Sequence, residues 1–170
     1  NSVIFLIGLI VFFYFLLNNF FLKQDIKLFP IIFLCLFVSF IIFKAHDDFP
    51  YYHFPYTYYL TENSSYIGIG SFNHGFRTPS SIFYFNSLFY LPVIKYNLFH
   101  MGSLAIFGFS LYLFITKILN LLKNEEIDYL YYFNLLSLVF ILVFFYRLAE
   151  HGTDRSAMIL ILIIISELLR

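Results

Sequence analysis

Residues 2–22 are an almost unbroken run of Ile, Leu, Val and Phe. Such a run has no polar face with which to lie on a globular core, and at 1.5 Å per residue about 20 helical residues match the roughly 30 Å hydrocarbon layer of a bilayer. It lacks the basic leader and small-residue cleavage pattern of a signal peptide and exceeds a signal peptide's apolar core, so a membrane span is predicted. Composition extends the argument to the whole chain: 61% of its 170 residues are hydrophobic and 12% are charged, with a mean hydropathy of +0.83. Soluble domains average about 25% charged residues, and one small core leaves roughly a third of the unfolded-chain surface exposed, so lipid is needed to cover the remainder.

Residues 28–43, 98–122 and 131–148 are three further apolar runs, and a fifth extends from 156 to 170. The chain opens on Asn1 and ends inside that fifth run, as expected of a piece of a longer protein. Glu167 within it reads as a carboxylate near the far interface or, deeper in the bilayer, as a functional group. The expected fold is all-α, a polytopic transmembrane helical bundle of about five spans, with a long first external loop that contains a short interfacial helix.

That loop, residues 44–97, is too long for a simple connector. Pro50, Pro55, Gly68, Gly70 and Gly75 argue against a helix in its first part, whereas Thr78-Pro79 reads as an N-cap followed by proline at the first helical position. A helix over 79–91 follows, closed by Pro92 and too short to span, so it is expected to lie along the membrane surface. Tyr51, Tyr52, Tyr56, Tyr58, Tyr59, Tyr66, Tyr84, Tyr90 and Tyr96 surround it, and amphipathic rings concentrate in the headgroup layer. Lys23 and Lys27, and then Lys117 and Lys123, mark the first and third connections as cytoplasmic, while Lys44, Arg77 and Lys95 are sparse over the long loop and place it outside. Alternation then puts the connection between the fourth and fifth runs outside as well.

Two polar clusters therefore share one face. The first is Lys44-Ala45-His46-Asp47-Asp48-Phe49-Pro50-Tyr51-Tyr52-His53, where Asp47 and Asp48 leave the bilayer at what reads as a helix C-terminus, against the helix dipole. A carboxylate there can act as general base if it reaches a substrate proton; the bland alternative is a pair of solvated acids. His46, Asp47, Asp48 and His53 also offer ligands for a divalent metal, at no spacing that fixes a geometry, and no cofactor is assigned; alternatively the histidines, His53 among them, bind substrate by donating to its phosphate, or simply lie in the interface. The second cluster is Arg147-Leu148-Ala149-Glu150-His151-Gly152-Thr153-Asp154-Arg155, so tight that its polar groups cannot disperse. Arg147 and Arg155 suit a phosphate clamp, with Glu150, His151 and Asp154 beside them; equally, Gly152 and Thr153 or Asp154 read as ordinary helix punctuation, and the arginines as partners of Glu150 or of lipid headgroups. A third stretch, Gly68-Ile69-Gly70-Ser71-Phe72-Asn73-His74-Gly75-Phe76-Arg77, is neither a P-loop nor GxGxxG; Arg77 is a phosphate candidate within what reads as a turn. Formal net charge is zero, which gives no field to draw nucleic acid, and Cys35 is the only cysteine, so no disulfide forms within the chain.

An apolar span that runs into an Asp-rich external loop carrying a horizontal helix resembles the membrane glycosyltransferases of the GT-C superfamily. Asp47-Asp48-Phe49-Pro50-Tyr51-Tyr52-His53-Phe54-Pro55 and His74-Gly75-Phe76-Arg77-Thr78-Pro79 also resemble bacterial membrane proteins of that layout. The resemblance implies an inner (plasma) membrane location, Asp47 or Asp48 as base on an acceptor, a polyprenyl-phosphate sugar donor, and basic groups such as Arg77, Arg147 and Arg155 for the departing lipid phosphate. The bilayer and the lipid-linked donor are then the partners. A transporter or flippase, or a non-catalytic membrane subunit, is the competing expectation; the former predicts ionisable residues inside the spans.

Overall fold

The computed structural model describes residues 2–18, 23–41, 48–64, 67–77, 80–145 and 153–170, and among them every regular element is helical. The long helices are α1 (Ser2–Leu17), α2 (Lys23–Ile41), α5 (Met101–Lys123), α6 (Tyr129–Phe144) and α7 (Thr153–Leu168). Two short ones, α3 (Phe54–Glu62) and α4 (Ser81–Ser87), belong to the segment between α2 and α5.

α5 is the hub. Leu104, Phe107, Leu111, Phe114 and Ile118 recur at three- and four-residue steps and are buried, as one helix face turned to a core requires. They meet Ile32 and Leu36 of α2, Ile141 of α6 and Ile159 of α7 in a single cluster. Ser103 and Ser110 are buried on the same helix, and small side chains of this kind let neighbouring backbones come close. Asp128 caps α6 by accepting from the amides of Leu130 (3.0 Å) and Tyr131 (3.2 Å), which starts the helix cleanly after the charged turn.

The segment before α5 folds into its own small lobe around Tyr56, Ile82 and Phe83, and Ile106 of α5 packs against both this cluster and the bundle core. α3 is a helix that the prolines had argued against. Pro55 falls in its first turn, where no amide donor is wanted, so the residue starts the helix instead of breaking it. Tyr56 belongs to the lobe core, fully buried, and not to an outer belt of rings. α4 is shorter than the expected 79–91: Ser87 Oγ donates back to the Tyr84 carbonyl at 2.8 Å, and the chain continues in tight turns from Leu88.

Tyr96–Lys123, 28 residues, is long and apolar enough to cross a membrane, whereas Ser2–Phe15, Lys27–Leu36 and Tyr129–Phe144 are apolar but shorter. The starts of the second and fourth runs move outward, to Lys23 and Tyr129, and residues 19–22, 42–47 and 146–152 lie outside the described residues. Much of the apolar surface is uncovered. Val3, Ile4, Leu6, Ile10 and Phe13 on α1, Leu136, Val139 and Val143 on α6, and Ile161, Ile164 and Leu168 on α7 are all exposed. Between α6 and α7 the same surface dips into an open apolar groove of about 510 Å³ lined by Phe133, Leu136, Phe140 and Leu162.

Candidate functional site

Asp48 introduces a π-helical turn, Phe49–His53, that runs straight into α3. Pro50 occupies its first turn, and π turns are rare and concentrate at functional sites. Asp48 immediately precedes this turn, whose dipole favours its charge, while residues 42–47, on which the expected helix C-terminus before the two acids depends, lie outside the described residues. Its side chain makes no capping hydrogen bond to that turn.

The Phe49 ring stacks on His100 (centroids 5.2 Å apart, planes at 18°), the residue that precedes α5, which ties Asp48 to the N-terminal end of the hub helix. α7 arrives at the same end. Lys117 Nζ donates to Ser166 Oγ at 2.7 Å, and Tyr129 at the start of α6 donates to the Leu169 carbonyl at 3.1 Å, so α5 and α7 run parallel with α6 antiparallel between their ends. Counting back equally from the Lys117–Ser166 contact brings Leu104 of α5 level with Thr153, the first residue of α7. Asp154 and Arg155 thus emerge at the level of the Asp48 turn, in the first turn of a helix, where a carboxylate is again favoured.

Tyr52 registers both carboxylates. Burial pushes its phenol above the ordinary tyrosine value, and the negative charges of Asp48 and then Asp154 push it further, because each disfavours the phenolate. At neutral pH Tyr52 is accordingly a hydroxyl, able to donate and to accept. The ring is held from behind by His53 (4.3 Å, edge to face) and Phe83 (6.3 Å). Gly75 closes over it: a Cβ there would overlap the Cβ and Cγ of Tyr52, so only glycine lets the turn His74–Arg77 approach this closely. Asn73 Nδ2 donates to the Tyr51 carbonyl at 3.0 Å and fastens the two strips of chain together.

The other residues singled out in the sequence divide as follows. His53 is buried, 5% exposed, against Tyr52 and Phe83, so a ligand arriving at the surface meets Asp48 and Tyr52 first. Arg77 is exposed and its Nε donates to the Gly70 carbonyl at 3.3 Å, bracing the 67–77 turn. Asp154 is exposed and Arg155 half-buried. Asp47, Arg147, Glu150 and His151, with His46, lie outside the described residues. Among the described residues no three His, Cys, Asp or Glu side chains gather closely enough to hold a metal ion.

Sequence reasoning missed Tyr52 and His100 as parts of this corner. Tyr52 had been one ring among many, and with no helix expected there its spacing of four from Asp48 carried no signal until the turn Phe49–His53 was seen. Glu167 and Lys117 had been named separately, but not the group that joins them. Lys117 Nζ, besides bonding Ser166, pairs with Glu167 Oε1 at 2.8 Å; Ser166 Oγ donates to Asn134 Oδ1 at 2.6 Å, and Asn134 Nδ2 donates to the Leu130 carbonyl at 2.7 Å. This chain of bonds links α5, α6 and α7 at the end of the bundle away from Asp48. No family model, curated protein or solved structure matches the chain.

Proposed function

We propose that this chain is a multi-pass protein of a bacterial plasma membrane, with α1, α2, α5, α6 and α7 as its membrane helices. In this reading it transfers a sugar from a polyprenyl-phosphate donor to an acceptor at the external face. The membrane half of the proposal is supported by the exposed apolar side chains of α1, α6 and α7, since a water-soluble monomer rarely tolerates a contiguous apolar patch beyond a few hundred Å². α1 is the extreme case: apolar throughout, and exposed at every described side chain from Ser2 to Phe15.

The observation that carries the catalytic half is that Asp48 and Asp154, far apart in sequence, both act on Tyr52. A base, a hydroxyl donor and the head of a helix that begins with Asp154 and Arg155 then face one corner. In the proposed reaction Asp48 takes the acceptor's hydroxyl proton. The new bond forms between the acceptor oxygen and the anomeric carbon as the bond from that carbon to the phosphate oxygen breaks, inverting the centre. The lipid phosphate leaves with the electron pair, and Arg155, with Arg147 from the same connection, binds its charge.

A transporter or flippase gains support from the Lys117–Glu167 pair, an ionisable couple inside apolar helices. The pair is internally neutral and bonded on to Ser166, which suits a tie between helices better than a path for a charged substrate. The two readings separate in one assay. Vesicles containing the protein and a radiolabelled polyprenyl-phosphate hexose should yield labelled acceptor together with free polyprenyl phosphate. Labelled lipid that changes leaflet without losing its sugar would support the flippase and refute transfer.

A further inference from the structure

We infer that two loop tips of the lobe, residues 67–72 and 91–95, dock into a layer of anionic lipid headgroups, each pairing an exposed apolar side chain with a cation. This rests on the membrane reading above and not on the glycosyl-transfer reading.

The first tip turns at Gly68, whose φ of 90° is open to glycine and strained for other residues. A single 3₁₀ turn follows, with Ser71 N donating to the Gly68 carbonyl at 2.9 Å and Phe72 N to the Ile69 carbonyl at 3.0 Å. Ile69 faces inward onto the lobe core, while Ile67 and Phe72 project outward at 108% and 90% exposure. Arg77, bonded to Gly70, supplies the cation at the base of this tip. The second tip is closed by Lys95 N, which donates to the Leu91 carbonyl at 2.7 Å, and is tied down by Asn97 Nδ2 on the Ile94 carbonyl at 2.9 Å. Val93 stands out at 92% exposure beside Ile94. Lys95 holds a φ of 52°, unfavourable for a residue with a Cβ, and keeps its charge next to Val93 and Ile94.

Isolated exposed Leu or Val residues need no account, but among the described residues Ile67, Phe72 and Val93 are the most exposed large apolar side chains of the lobe, on turns held by their own hydrogen bonds. Charge selects the occupant. From Asn63 to Asn124 the sequence contains no Asp or Glu, so neither tip carries an acid of its own beside Arg77 or Lys95. An acidic or neutral protein partner would leave the half-exposed Tyr84 and Tyr96 unexplained, whereas such rings are at home among headgroups. A cation near an anionic membrane surface contributes about a fivefold preference for it.

The test uses single-cysteine variants in a Cys35→Ser background: Phe72→Cys, Val93→Cys and, on the outer face of α6, Val139→Cys. Each is labelled with an environment-sensitive fluorophore and reconstituted in vesicles carrying nitroxide-labelled lipid. The expected result is quenching at all three positions. At Phe72→Cys and Val93→Cys it should be stronger with phosphatidylglycerol present than in pure phosphatidylcholine, and it should fall back when Arg77→Glu or Lys95→Glu is added. Quenching at Val139→Cys alone overturns the docking while leaving the membrane reading in place. Quenching at none of the three overturns both, and quenching at the tips that ignores phosphatidylglycerol overturns the headgroup pairing.

Discussion

Replacing Asp48 with Asn is expected to lower sugar transfer by about 10²- to 10⁴-fold, the usual contribution of a positioned general base. Asn keeps the shape of the side chain and removes only its charge and basicity. The Asp48 side chain makes no capping bond to the turn it precedes, and the turn is fixed by Phe49 on His100 and by Asn73 on Tyr51, so the fold should survive. The protein should therefore reach the membrane at normal yield and still bind lipid-linked donor, with the loss confined to turnover. Transfer rates at saturating donor, alongside a donor-binding measurement, decide it. Full activity in Asp48→Asn would remove Asp48 from the role of base.

Asn134→Leu should destabilise the bundle by about 1–2 kcal/mol. Asn134 is fully buried and serves as both acceptor for Ser166 Oγ and donor to the Leu130 carbonyl, so leucine leaves the equally buried Ser166 hydroxyl with its proton unplaced. An orphaned buried group costs about 1–3 kcal/mol, while hydrogen bonds between membrane helices average about 0.6 and reach about 1.7, so the expected value falls where these ranges overlap. Lys117→Met should cost less, because Glu167 is 45% exposed and can turn to solvent when its partner is lost. Unfolding midpoints in detergent should rank the three proteins as wild type, then Lys117→Met, then Asn134→Leu. Equal midpoints for wild type and Asn134→Leu would show that the bond chain adds nothing.

The elements that could be read from sequence are those set by local pattern. The step of three and four between Leu104, Phe107, Leu111, Phe114 and Ile118 is a property of one helix, and the core face of α5 follows from it. Proline was misread where position within an element decides its effect: Pro55 in a first turn helps a helix that the same residue in mid-helix would break. The Lys117–Ser166–Asn134 bonds were invisible because they depend on which helices are neighbours, a matter of packing. The candidate site lay between these cases. Asp48 and Asp154 were named from their surroundings in sequence and assigned to one face by alternation, but the phenol on which both charges act came only from the fold.

The central claim, that the Asp48 turn and the head of α7 form one site, can be tested by cross-linking in membranes. In the Cys35→Ser background, a short flexible bismaleimide should join Asp48→Cys to Asp154→Cys. It should fail to join Asp48→Cys to Glu125→Cys, which lies beyond the far end of α5, a helix of 23 residues and so about 35 Å long. A cross-link to position 125 with none to position 154 would contradict the claim.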